Sequence, residues 1–154
     1  MRVLCFQDLA EIALAVAKRA VERAERAATA AQEASERAND GVYAMCEYEA
    51  DDAPWWAPDE ATIPPGLARD LAYAERLARQ AVKAHQVAST ARGSLLAAQF
   101  YAAAGSAKVF VQVDRCLAVV WAALGKDAED AAVLADLDEL LTNHAPRPSD
   151  GCVT

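Results

Sequence analysis

Apolar residues recur at steps of three and four from Phe6 to Glu49, through Leu9, Ala13, Val16, Ala20, Ala24, Ala27, Ala31, Ala34 and Ala38. That spacing draws one stripe along a 3.6-residue helix and predicts a long amphipathic element. Its other faces carry Lys18, Arg19, Glu22, Arg23, Glu25, Arg26, Glu33, Glu36 and Arg37, a solvated set in which Glu22/Arg26 and Glu33/Arg37 support each other at i,i+4. Asn39-Asp40-Gly41 predicts a kink or short break, after which Val42, Met45, Cys46 and Glu49 resume the pattern.

A second long helix is expected from Leu67 to Ala104. Its heptad is the cleanest in the chain, Leu67, Leu71, Ala74, Ala78, Ala81, His85 and Ala88, and the stripe drifts past Gly93-Ser94 to Leu95, Ala98 and Ala102. Gly93 is a candidate bend. Gly105-Ser106 should end this helix, with Ser106 placed to cap the next. The third helix, Ala107 to Leu124, is apolar on nearly all sides and is expected to be the most buried element. Gly125 closes it. A fourth, acidic helix follows from Asp127 to about Thr142, with Val133, Leu134, Leu137, Leu140 and Leu141 turned inward and Asp127, Glu129 and Asp130 complementing its N-terminal dipole.

Between the long helices lies an acidic segment, Asp51-Asp52-Ala53-Pro54-Trp55-Trp56-Ala57-Pro58-Asp59-Glu60. With Pro64 and Pro65 it cannot be helical throughout, and Pro65-Gly66 marks its end. The architecture these elements predict is an elongated antiparallel all-α bundle of about four helices, two long and two short. One domain over residues 1–144 and a mobile tail over 145–154 are expected. At 1.5 Å per residue, each long helix reaches about 50–60 Å, and the two short ones together match that length.

Composition sharpens the reading. Hydrophobic residues make up 55% of the 154 positions but aromatics only 6%, and the surplus is alanine, about a quarter of the chain and well above average usage. Alanine favours helix and lets helix axes approach closely, yet it buries little apolar area per residue. A narrow bundle with alanine stripes therefore gains from a further helical surface, and a homodimer or a protein partner is expected. The alanine- and arginine-rich composition is bacterial in character.

The net charge of −8 argues against general nucleic-acid binding, which needs a basic surface. Charged residues interrupt every apolar run before the ~18 positions a membrane span requires, and no secretory leader is apparent, so a cytoplasmic protein without membrane association is expected. Cys5, Cys46, Cys116 and Cys152 show no Cys-x-x-Cys spacing, and neither zinc nor any other cofactor is expected. A bridge between Cys5 and Cys152 is geometrically open, because chain termini often meet in a domain. Neither His85 nor His144 has an acidic residue three positions before it, which argues against a ferritin-like di-metal centre.

Two surfaces stand out as candidate sites. Trp55 and Trp56, adjacent between prolines, cannot easily share one core, and with Tyr43, Tyr48 and Tyr73 they predict an aromatic binding surface that a protein partner or a small molecule would use. Arg69, Arg76 and Lys83 recur every seven residues with Arg79 beside them, a basic strip suited to an acidic partner or a phosphate group.

Arg79 and His85 also form an Arg-x5-His element. It resembles the Arg-x4-6-His element of the HEPN ribonuclease families, over seven residues and with Gln80 following the arginine. The resemblance implies a metal-independent ribonuclease in which Arg79 holds the scissile phosphate and His85 transfers a proton. The heptad instead places His85 on the core side of its helix. On balance the residues favour a non-enzymatic helical interaction or assembly protein, with the ribonuclease and a small-ligand-binding bundle as alternatives.

Overall fold

The computed structural model describes residues 4–52 and 65–143, and of residues 45–52 and Pro65 the backbone alone. Within them the chain is an all-α helical bundle: α1 Phe6–Asp52, α2 Pro65–Ala103, α3 Lys108–Leu124 and α4 Ala128–Asn143, with no strand among the described residues. Among the described residues no helix is long and apolar enough to cross a membrane.

Each helix start has a local cause. The carbonyl of Cys5 accepts from the Leu9 N–H at 3.1 Å, and the Asp8 carboxylate accepts from the Cys5 N–H at 3.1 Å, which satisfies donors at the start of α1. α2 begins at Pro65 rather than at Leu67. Proline suits a first helical position, where its missing N–H has no partner to lose. Ahead of α3, the hydroxyl of Ser106 accepts from the Lys108 N–H at 3.3 Å, while the formal cap is Ala107 with helical backbone angles and no side-chain bond. Asp127 starts α4, its Oδ1 accepting from the N–H groups of Glu129 and Asp130 at 3.0 and 3.1 Å.

The ends of α2 and α3 use glycine in the left-handed region, where a side chain would be strained. At Gly105, φ is 67°, and the N–H groups of Gly105 and Ser106 donate to the carbonyls of Ala102 and Tyr101, a Schellman closure. Gly125, at φ 86°, donates its N–H to Trp121.

The short break expected at Asn39-Asp40-Gly41 is corrected: α1 is helical without interruption there, and α2 is likewise helical through Gly93. A single glycine costs a helix only about 1 kcal/mol, less than the packing on either side returns.

The chain forms two compact units, one of Met1–Glu25 with Gln86–Thr154 and one of Arg26–His85. In the second, Val42 of α1 packs with Leu67 and Ala74 of α2, flanked by Ala38 and Leu71. Later residues of α1 meet earlier ones of α2, so these stretches run antiparallel. Ser35 is buried on the same side of α1.

In the first unit α3 lies parallel to α1. Phe6 meets Phe110 edge to face at 5.8 Å, the Cys116 thiol points to the Ala17 carbonyl at 3.9 Å, and Arg23 reaches the carbonyls of Leu124 and Gly125 at 2.7 and 2.9 Å. Here α1 buries a broad face that includes Leu9, Ala13, Val16, Ala17, Val21 and Ala24, against a narrower seam at Ala28, Ser35 and Val42 further on. α3 buries Val109, Val113, Cys116, Leu117 and Val120, but it is not buried on all sides as its composition suggests: Val111 is exposed. In α4 only Leu137 of the expected inward residues is fully buried, and Asp130, two turns before it, is buried as well.

Candidate functional site

α2 carries most of the residues the sequence singles out, and its periodicity decides where they point. The heptad holds through Leu67, Ala74, Ala81 and Ala88, all buried, with Leu71 and Ala78 half-buried between them. Beyond Ala81 the intervening position moves from the fourth residue to the third: Ala84 is half-buried, Ala91 and Ala98 are buried, and His85 is exposed. The expectation that His85 faces the core is therefore corrected. A helix of 3.6 residues per turn drifts about 20° per heptad against a 3.5 repeat, and over the roughly two and a half heptads from Leu67 to His85 a drift of about 50° turns the fourth-residue position out to solvent.

His85 and Arg79 are both accessible. On one continuous helix, six residues separate them by about 9 Å along the axis and about 120° around it. Arg79 lies instead 3.9 Å from Glu75, one turn earlier, with both side chains largely in solvent. Such an exposed pair contributes little.

In the Arg26–His85 unit, Arg69, Arg76 and Lys83 are all exposed, as expected of a strip recurring every seven residues. Tyr73 lies within the strip and is 50% exposed, with the Arg76 guanidinium over its ring at 5.4 Å. Tyr43 of α1 is 70% exposed in the same unit. The face therefore offers aromatic planes beside exposed cations, a combination suited to anionic or aromatic groups. Trp55 and Trp56, the other half of the expected aromatic surface, lie outside the described residues, as do Cys152, His144 and the segment 145–154; the side chains of Cys46 and Tyr48 lie outside them as well.

In the other unit the outward face of α2 is apolar. Leu96 is 60% and Phe100 68% exposed, one helical turn apart, while the opposite face buries Ala88, Ala91, Leu95 and Ala98. The apolar stripe legible in the sequence runs through Leu95, Ala98 and Ala102 and leaves out Leu96 and Phe100. Their offset of one to two residues from that line was the available signal.

A polar cluster ties α1 to the α3–α4 turn. Arg19 donates to Asp130 at 2.7 Å, and Arg23, one turn on, holds the two terminal carbonyls of α3. Arg92 of α2 pairs with Glu25 of α1. Lys126 places its ammonium 5.2 Å from the centre of the Trp121 ring. Every cation in this group has a structural partner.

Among the described residues titration is perturbed at Cys116 and Asp114. Burial pushes the Cys116 thiol up to about 11, which leaves it protonated and unreactive at neutral pH. The Asp114 carboxyl is raised by partial burial and then by Asp138 of α4, although the residue keeps substantial solvent contact. Among the described residues no group of three or more His, Cys, Asp or Glu side chains is placed to hold a metal ion.

Comparison with protein-family models, with curated proteins and with solved structures finds no match. A functional reading therefore rests on this chain's own surface.

Proposed function

We propose that this chain is a non-enzymatic helical interaction or assembly protein, cytoplasmic and bacterial in character, that works as a homodimer or as a subunit bound to another protein. The observation that carries the reading is the allocation of side chains on α2. Between Ala88 and Ala98 this helix turns mostly alanines toward its own core, while Leu96 and Phe100 face solvent. A monomer optimised for its own stability would place the larger side chains inside, where a buried Leu or Phe contributes about 1.5–3 kcal/mol. Large apolar side chains on an exposed helical ridge mark surfaces that a partner covers.

The basic and aromatic face around Arg69, Tyr73, Arg76, Arg79 and Lys83 supports the same reading as a second, polar docking surface. A small molecule bound near Trp55 and Trp56 and a ribonuclease built on Arg79 and His85 are the competing functions, and one set of measurements separates them. Native mass spectrometry of the full chain, expressed with a tag in its source, should find it in a complex of fixed stoichiometry. Purified protein should cleave no RNA in the presence of a chelator. Cleavage lost in both Arg79→Ala and His85→Ala, with helical circular dichroism intact, would put the ribonuclease in place of this reading.

A further inference from the structure

Gly93 sits in the middle of α2, where glycine is a poorer helix former than alanine. Nothing among the described residues asks for it. A Cβ built there meets no atom within 4 Å, the residue is exposed, and the helix is neither broken nor bent into a left-handed conformation. Gly41 of α1 is equally open, but Gly93 lies in line with two large exposed apolar side chains, Leu96 and Phe100.

The surroundings of Gly93 extend that line. At about 100° per residue, Gln86, Ser89, Gly93, Leu96 and Phe100 fall within an arc of about 80°, centred opposite the buried Ala91 and Leu95. All five are exposed. The face thus presents a shallow hole at Ser89 and Gly93 and, two turns after the glycine, a large projecting ring at Phe100.

We infer that this face of α2 is the homodimer interface, on which a second copy of the chain lays its own α2 antiparallel, with the two-fold axis near Leu96. The inference rests on the interaction reading above and assigns its surface and its partner. An isologous contact requires a patch complementary to itself. With the axis near Leu96, Phe100 of each copy falls on Gly93 of the other, and the two Leu96 side chains meet at the centre. A parallel arrangement would set ring against ring and leave both glycines uncovered.

Charge selects the same face. The chain carries 23 acidic residues and a net charge of −8, so two copies repel wherever their acids meet. From Arg76 to Val113 there is not one Asp or Glu, the longest such stretch in the sequence. The one cation within residues 86–103, Arg92, is neutralised by Glu25. Two copies meeting along this ridge bring together apolar groups and no like charges.

Sedimentation-equilibrium analysis of the full chain from about 1 to 100 µM tests the inference with the wild type, Phe100→Glu and Gly93→Leu. The expected result is a wild-type dimer in that range and a dissociation constant raised at least about tenfold in both variants. Gly93→Leu is the more telling of the two, because leucine is the better helix former and should preserve or raise the helical signal while filling the hole. A wild type that stays monomeric at the highest concentration overturns the inference. A dimer that persists unchanged in both variants also overturns it, while leaving the broader interaction reading in place on another surface. A fixed complex with a different protein and no self-association likewise removes the second copy but retains the broader reading.

Discussion

The Asp130 carboxylate lies 2.7 Å from the Arg19 guanidinium, and Asp130 is only 6% exposed. One carboxylate at the start of α4 thus anchors that helix to α1, and Arg23, one turn further along α1, binds the terminal carbonyls of α3. Removing Arg19 leaves the buried Asp130 carboxylate without its partner in a poorly solvated position, whereas the Arg19 side chain is half exposed and keeps water. Arg19→Ala should cost about 1–3 kcal/mol in urea unfolding. A double-mutant cycle with Asp130→Ala should return a coupling above about 0.5 kcal/mol. Additive single effects would show that the pair does not hold the helices.

Asp114 binds its proton more tightly in the folded state, because partial burial and then Asp138 raise its pKa. The folded state is therefore favoured by protonation there. That contribution is complete below the ordinary carboxylate range and is lost as pH rises through the raised value. Asp114→Asn should stabilise the protein at pH 7, and the advantage should shrink as the pH is lowered. Solvent contact keeps the gain below about 1 kcal/mol, on the order of 2–4 °C in melting temperature for a chain of this size. Equal melting shifts at pH 7 and at pH 4 would contradict the sign.

Cys116 is fully buried, and its thiol is pushed up to about 11. A thiolate-selective reagent at pH 7 should therefore leave Cys116 unmodified in the native protein and label it only on unfolding, as read by mass spectrometry of its peptide. Rapid native labelling would mean that α1 and α3 separate often.

His85 is exposed on α2, so His85→Ala should change stability by no more than about 0.5 kcal/mol. The heptad reading alone would have placed the imidazole in the core and expected a larger loss. Chemical denaturation of the variant decides between the two, and a loss of several kcal/mol would restore the core position.

Much of this fold was legible because it is local. Alanine content and 3.6-residue periodicity mark four helices to within about three residues of their observed ends, since each backbone bond of a helix closes within its own turn. Gly105, Gly125 and Asp127 mark their boundaries because a left-handed residue or a side-chain cap acts on the adjacent backbone. The basic strip of Arg69, Arg76 and Lys83 was legible for the same reason: residues seven apart share a face whatever the helix packs against.

What the tertiary structure decided is the direction in which each face points. Asn39-Asp40-Gly41 reads as a break in isolation, yet the packing of Val42 on Leu67 and Ala74 lies just beyond it on an uninterrupted helix. His85 sits on a core register by strict sevens, yet the accumulated drift of a real helix turns it outward. Arg19 and Arg23 look like ordinary solvated cations until α3 ends, and α4 begins, opposite them. Leu96 and Phe100 belong to the same apolar count as Leu95, and only the identity of the neighbouring helices determines which of them is buried. Periodicity fixes the angle between residues on a helix; the partners of that helix set its zero.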